Sequence, residues 1–366
     1  MFVVLRLGLF LLGLVAIGPI PPIPPVSVPG WAAPSMSGWH VLFTAWERFD
    51  ALWFLRVASS GYRVGDGSAA FFPLFPLTVR AVSFVLGGHP FAAGMMVANL
   101  SFLGALIVLY ALTSAELSED LARRTVLFLA FFPTSFFFLM PYSESLFLLL
   151  AVTAFWAGRR ERWWLAALSG ALAAATRSIG IVLIPALAAQ AAQQRTVHRW
   201  RGLAAAAATS LGTLVYLAYW WRRTGDLLTP IHQQASWERE SMWPWTTLLR
   251  GTAYAFRYLG GTNGGYWMID WLLVVPILAL SVYAVFRYPA WAGIYLWGGL
   301  LIPLSFVFPD RPLMSMPRFV LPLFPAFWAL AEVSERARIP RWAIVGVEAA
   351  GLGLLALLSV NWYYIF

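Results

Sequence analysis

The chain has no cysteine and no lysine, and only 11% of its 366 residues are charged. Without cysteine there are no disulfides, no thiolate chemistry and no Cys-ligated zinc. The four histidines, His40, His89, His198 and His232, stand far apart with no ligand spacing, so a His-based metal site is not expected. A soluble domain carries roughly 25% charged residues. Here 60% of the residues are hydrophobic and mean hydropathy is +0.72, which places the chain among polytopic membrane proteins. No Gly-rich phosphate loop lies between a strand and a helix, so a cytosolic nucleotide-sugar site is not expected. The net charge of +9 comes from arginine alone. In a membrane protein such an excess marks cytoplasmic loops, and nucleic acid is not an expected partner.

Apolar runs of spanning length lie near 2–18, 90–112, 124–140, 143–158, 163–176, 178–193, 201–221, 268–286, 290–308, 317–333 and 342–361. The first, Phe2–Ile17, runs into Pro19–Pro25, lacks a small-x-small cleavage pattern, and is read as a retained span. Segment 72–88 decides the orientation. If it spans, Arg123-Arg124 and Arg159-Arg160-Arg162 fall on opposite sides. If it lies in the interface, the Arg-rich loops all fall in the cytoplasm. The second option is adopted. It gives an all-α protein of about eleven transmembrane helices, with the N-terminus cytoplasmic and one domain over 1–366. The long loops 19–89 and 222–267 are then external, the first bearing interfacial amphipathic helices. Phe-Phe-Pro occurs at 71–73 and 131–133 without matching surroundings, so no internal repeat is read.

The external loops and helix ends collect Asp50, Asp66, Glu144, Asp226, Glu238, Glu240 and Asp310 beside Arg63, Arg177, Arg222, Arg223, Arg239, Arg311 and Arg318, with Asp270 at the outer end of the next span. The key stretch is Trp46–Pro76. Read as a helix, Trp46–Val57 puts Trp46, Phe49, Trp53, Phe54 and Val57 on one face with Asp50 in its middle. A carboxylate among aromatics needs a partner or a task. Asp50 is read as a catalytic base, the alternative being a pair with Arg177 or Arg318. The helix ends at Gly61-Tyr62, and Phe-Phe-Pro-Leu-Phe-Pro (71–76) is expected to rest on the membrane surface. Asp66, between Gly65 and Gly67, is either a turn residue or a second site carboxylate. Glu144 is either a first-turn helix carboxylate, with Ser143 as N-cap, or a substrate contact. Arg177 and Arg318 interrupt apolar regions. They either snorkel to headgroups or hold a phosphate at the lipid surface. Trp237–Trp245 offers aromatics for sugar stacking.

The blocks Phe49-Asp50-Ala51, Gly61-Tyr62, Asp66 and Ala70–Pro76 resemble the first-loop signature of the PIG-V-like mannosyltransferases. These include the enzyme that adds the second mannose in GPI-anchor assembly and its prokaryotic relatives. Phe132-Pro133-Thr134, Pro141–Phe147, Thr176–Gly180 and Ser315–Pro322 match further blocks, and Gly225-Asp226 with His232-Gln233-Gln234 and Trp237 is similar to the family's next outer segment. The similarity runs in order over about 45–325. Two positions depart: Phe49 stands where the family has Trp, and Asp66 where it often has Glu.

The resemblance implies a GT-C fold and a polyprenyl-phosphate sugar donor, mannose in characterised members. It implies transfer to a glycan, glycolipid or protein acceptor at the external or lumenal face. The membrane would be the plasma membrane in a prokaryote or the endoplasmic reticulum in a eukaryote. In that scheme Asp50 is the base, Asp66 and Glu144 are second carboxylates, and Arg177 and Arg318 hold the donor phosphate. Tyr62, Tyr142, Gln234 and Trp237 are candidate substrate contacts. No cofactor or metal is expected, the alternative being a divalent ion between Asp50 and Asp66. The competing readings are a transporter or flippase of lipid-linked sugars, which would need a charged midplane path between repeats, and a non-catalytic assembly subunit.

Overall fold

A computed structural model describes residues 1–21, 23–32, 34, 38–194, 199–261 and 264–364. His198 lies outside the described residues. Among the described residues, four helices are long and apolar enough to cross a membrane: Pro90–Glu116, Arg199–Thr224, Gly265–Arg287 and Arg341–Val360. Phe2–Ala16, Trp163–Ala174, Ser178–Gln193 and Ala290–Leu304 are shorter apolar helices, and Glu144–Arg159 packs between Pro90–Glu116 and Trp163–Ala174. The chain is an integral membrane protein, and among the described residues its regular elements are helices apart from the two-residue strands Glu240–Ser241 and Phe306–Val307.

Two of the expected spans are broken, and proline explains both. Glu119–Phe131 stops because Phe132, which precedes Pro133, is driven to extended ψ of 140°. A short 3-10 turn, Ser135–Phe138, follows. The region 317–333 divides into Met316–Phe319 and Pro325–Arg336, separated by Pro322. Segment 72–88 forms the helix Leu74–Val85, whose 12 residues reach about 18 Å against a hydrocarbon core of roughly 30 Å. It packs on Asp50–Ser60 and Pro90–Glu116. The aromatic segment before it is not laid on lipid. Phe71, Phe72 and Phe75 are buried in the protein, Phe75 completely, and Phe54 meets Phe71 and Phe75 edge-on. Burying these rings against protein satisfies the same apolar surface that an interfacial position would.

The two ends of the bundle differ in charge chemistry. At one end Arg159 pairs with Glu116, Arg287 and Arg336 with Glu332, and Arg124 donates to the Ile339 carbonyl. Arg123-Arg124 and Arg159 therefore share an end, as the interfacial reading of 72–88 requires. The other end carries Asp50, Glu144, Arg177 and Arg318. Asn361 donates to the Ala16 carbonyl there, so the first and last helices run parallel to this face.

Close packing at small residues sets the middle of the bundle. A Cβ on Gly212 would come within 1.9 Å of the Ala171 carbonyl oxygen, and one on Gly170 within 2.3 Å of the Thr209 hydroxyl. Trp163–Ala174 and Arg199–Thr224 thus meet nearly backbone to backbone, the use that membrane helices make of small residues. Gly212→Ala is expected to lose about 1–3 kcal/mol by overpacking, read as a lower unfolding midpoint in detergent. Gly346→Ala, where nothing lies within 4 Å of the added carbon, should leave the midpoint in place.

Candidate active site

Asp50 is the first residue of the helix Asp50–Ser60, not the middle of a longer one. The reason is Phe49, whose φ of 52° breaks any helix from Trp46 onward. A bulky residue with positive φ is strained and needs its surroundings to hold it. The Phe49 ring lies edge-on to Trp362 and Tyr364, with centroids 5.6 and 5.0 Å away. Arg48, fully buried, donates from Nε to the Val360 carbonyl and stacks over Trp362. The Tyr142 hydroxyl accepts from the Asp50 N–H at 3.1 Å and donates to the Arg48 carbonyl at 3.2 Å. The carboxylate consequently projects at a helix N-terminus, where the peptide dipoles favour negative charge.

Arg318 Nη1 donates to Asp50 Oδ2 at 2.5 Å. Its short helix, Met316–Phe319, is entered through Ser315 in the left-handed region, φ 67°. A second strained residue thus sets a second charged group. Arg318 Nε lies 3.3 Å from Glu144 Oε1, and Arg177 Nη1 lies 2.5 Å from the same oxygen. Arg177 Nη1 also donates to Ser143 Oγ at 3.1 Å. Ser143 precedes the helix Glu144–Arg159 but makes no side-chain cap; its hydroxyl serves Arg177 instead. Asp50, Arg318, Glu144 and Arg177 form an alternating chain of charge. Side-chain exposure falls from 20% at Asp50 to zero at Glu144, so the chain opens to solvent at Asp50. Burial alone would lower the Arg318 pKa, but Asp50 and Glu144 outweigh it and raise it. Arg177, also buried, is lowered by burial and by Arg318, with Glu144 opposing.

The other candidates fall into separate places. Asp66 is bonded to the buried Arg56 and accepts from the Ser68 N–H at 2.9 Å, as a turn residue with a partner of its own. Burial raises its pKa, but the Ser68 and Arg56 contacts prevail and leave it lowered. The Tyr62 hydroxyl donates to the Phe71 carbonyl within an aromatic cluster of Tyr216, Tyr219 and Trp220. Tyr142 is at the centre but buried, its ring 5.5 Å from the Arg318 guanidinium. The Gln234 carbonyl accepts from the Arg239 N–H, and Trp237 Nε1 donates to the Gly67 carbonyl. His232 and Asp226 pair at 2.8 Å on the exposed surface.

An open cleft of about 820 Å³ lies beside the chain of charge, lined by Trp237, Arg239, Phe308, Asp310, Arg311 and Tyr364 among others. Its Tyr364 packs on Phe49, so the cleft borders Asp50. Two features here were not separable in the sequence. Arg311 grips Asp270 with two hydrogen bonds, 2.6 and 2.9 Å, and donates to the Tyr364 carbonyl, which ties the loop before Arg318 and the C-terminal segment to one helix end. Arg239, one of many external arginines in the sequence, lies over Phe308 and Phe319 and faces the cluster.

The family model described as mannosyltransferase (PIG-V) matches residues 24–199. That span includes Asp50, Asp66, Glu144 and Arg177. Over that span, just under half of its length, the chain is similar to the PIG-V mannosyltransferases. Comparison with curated proteins finds no match. Among solved structures, the chain shares its fold with ArnT from Cupriavidus metallidurans bound to undecaprenyl phosphate. The identity is 14% and the TM-score 0.51, covering 100% of this chain and 76% of ArnT. The Archaeoglobus fulgidus oligosaccharyltransferase in complex with Zn and sulfate aligns at 11% identity and TM-score 0.44, over 99% of this chain and 53% of that one. Arabinofuranosyltransferase AftD from Mycobacteria aligns at 17% and 0.45, over 99% and 26%.

Two predictions come from these contacts. Glu144→Gln leaves Arg177 and Arg318 without their shared counter-charge and should cost about 3–5 kcal/mol, seen as a lower unfolding midpoint; an unchanged midpoint would mean the pairs carry no stability. Asp66 has a lowered folded pKa, so its contribution is present above the unfolded value near 3.8 and disappears as pH falls through the folded one. Asp66→Asn should flatten the acid limb of a stability–pH profile below about pH 4.

Proposed function

We propose that the protein is an inverting glycosyltransferase that moves a sugar, mannose by family, from a polyprenyl-phosphate donor to an acceptor hydroxyl at the external face of the membrane. The observation that carries this reading is the Asp50–Arg318 pair, the more exposed end of a largely buried chain of charge, beside a cleft. A donor anchored in the bilayer arrives at the end of the helices, where this chain lies, and needs no nucleotide-binding fold. That the ArnT structure carries undecaprenyl phosphate supports the donor class.

Asp50 accepts the proton of the acceptor hydroxyl as its oxygen attacks the anomeric carbon. The bond from that carbon to the phosphate oxygen breaks, and the electron pair leaves with the phosphate. Attack opposite the leaving group inverts the centre. Negative charge grows on the phosphate, and Arg318 and Arg177 lie where guanidinium groups can meet it. A phosphate leaves already ionised, so the reaction needs neither an acid nor a bound cation.

Arg318 Nη1 occupies Asp50 Oδ2. Donor phosphate competes for the same guanidinium, so donor binding frees that carboxylate oxygen to meet the acceptor hydroxyl. The arginine-rich end of the bundle then lies in the cytoplasm by the positive-inside rule, the active end outside.

Asp50→Asn keeps the side chain's shape and removes the base. Transfer from polyprenyl-phosphate-mannose should fall at least about 100-fold, while binding of the donor persists. Transfer at a rate near wild type would make Asp50 structural.

A further inference from the structure

The chain of charge is internally balanced: Asp50 and Glu144 offset Arg177 and Arg318. Arg239 is left over. It sits in the segment between Trp237 and the strand Glu240–Ser241, its backbone N–H bonded to the Gln234 carbonyl and its neighbour Glu240 paired with Val307 across the small sheet. Its guanidinium lies 4.9 Å from the Phe308 ring and 5.7 Å from the Phe319 ring. Phe319 also carries Arg177 at 5.4 Å and Arg318 at 5.1 Å, so one ring gathers all three cations. Among the described residues Arg239 has no carboxylate partner. Burial, and then the charge of Arg318, lower its pKa to about 10 with Asp50 opposing, so it is still charged at neutral pH. A half-buried cation facing like charges is costly unless an anion completes it. It lines the cleft together with the exposed Glu238, Glu240 and Asp310, whose charges water screens, and the cleft is where an anion can reach it.

We propose that Arg239 is the primary anchor for the phosphate of the lipid-linked donor, ahead of the neutralised Arg177 and Arg318. The proposal rests on the donor reading given above. Charge balance follows through the reaction. Three guanidinium groups and two carboxylates leave one positive charge, which the singly charged phosphodiester of the donor cancels. On transfer the phosphate becomes a monoester with one further negative charge, while Asp50 takes up the acceptor's proton. For these five groups and the phosphate the total stays neutral from bound donor to products.

The test uses the full-length protein in nanodiscs of zwitterionic lipid, with undecaprenyl phosphate as the probe. Arg239→Gln should weaken binding by about tenfold or more, as loss of a charge-assisted contact does. Arg239→Lys should stay within a few-fold of wild type, and Arg250→Gln, on an exposed helix away from the cleft, should match it. The ligand-free unfolding midpoint of Arg239→Gln should be unchanged or raised, whereas a structural role would lower it. Wild-type affinity in Arg239→Gln would overturn the proposal and leave the donor reading standing. No binding by the wild type would end the donor reading itself. Equal competition by inorganic phosphate would reassign the site to a free anion, and displacement by phosphatidylglycerol in the bilayer to a headgroup; either overturns the proposal.

Discussion

The structure depends on alternation of charge in a place where water is scarce. Glu144 is fully buried, and a buried carboxylate without a counter-charge would be far too costly to keep. Arg177 and Arg318 meet it from two different loops, and Arg318 carries the compensation outward to Asp50. Each group makes the next affordable. The series ends at Asp50, whose side chain is 20% exposed. The proposed function is placed where the compensation runs out.

Strain and proline hold this series in position. Phe49 and Ser315, both with positive φ, stand one and three residues before Asp50 and Arg318. Neither conformation is stable alone. Phe49 is held by Trp362 and Tyr364 from the far end of the chain, and the loop after Ser315 follows a segment tied down by Arg311 and Asp270. The same proline-rich sequence that breaks the helices near 133 and 322 frees backbone to turn at the active end. Thr134 donates to the Pro317 carbonyl, joining the two breaks. Rigid helices below and over-determined turns above give a preorganised electrostatic site.

Most of the helical plan was legible from hydropathy, because an apolar run of sufficient length has few alternatives in lipid. Where it misled, at 124–140 and 317–333, composition averaged across prolines that end helices. Asp50 was singled out from its aromatic company, yet through a helix that does not exist before it. Its true position follows from a left-handed Phe49, which no local signal announces and which depends on rings more than 300 residues away. The aromatic run 71–76 looked like a membrane-surface motif because burial in protein and burial in lipid read alike in sequence. Asp66 reads in sequence equally as a turn residue or a site carboxylate; its contacts with Ser68 and with the buried Arg56 appear only in the fold. Arg239 was invisible for another reason. Its meaning lies in the partner it lacks, and absence of a partner is a property of the folded molecule only.

The central claim is an exchange of partners: Arg318 gives up Asp50 for phosphate, and the carboxylate is released to act. The direct measurement is a structure of the protein with undecaprenyl phosphate bound. Such an exchange places the phosphate oxygens against Arg239 and Arg318, with Arg318 withdrawn from Asp50 and the Asp50 carboxylate open to the cleft. A phosphate seated elsewhere, with the Asp50–Arg318 pair intact at its present 2.5 Å, would contradict it.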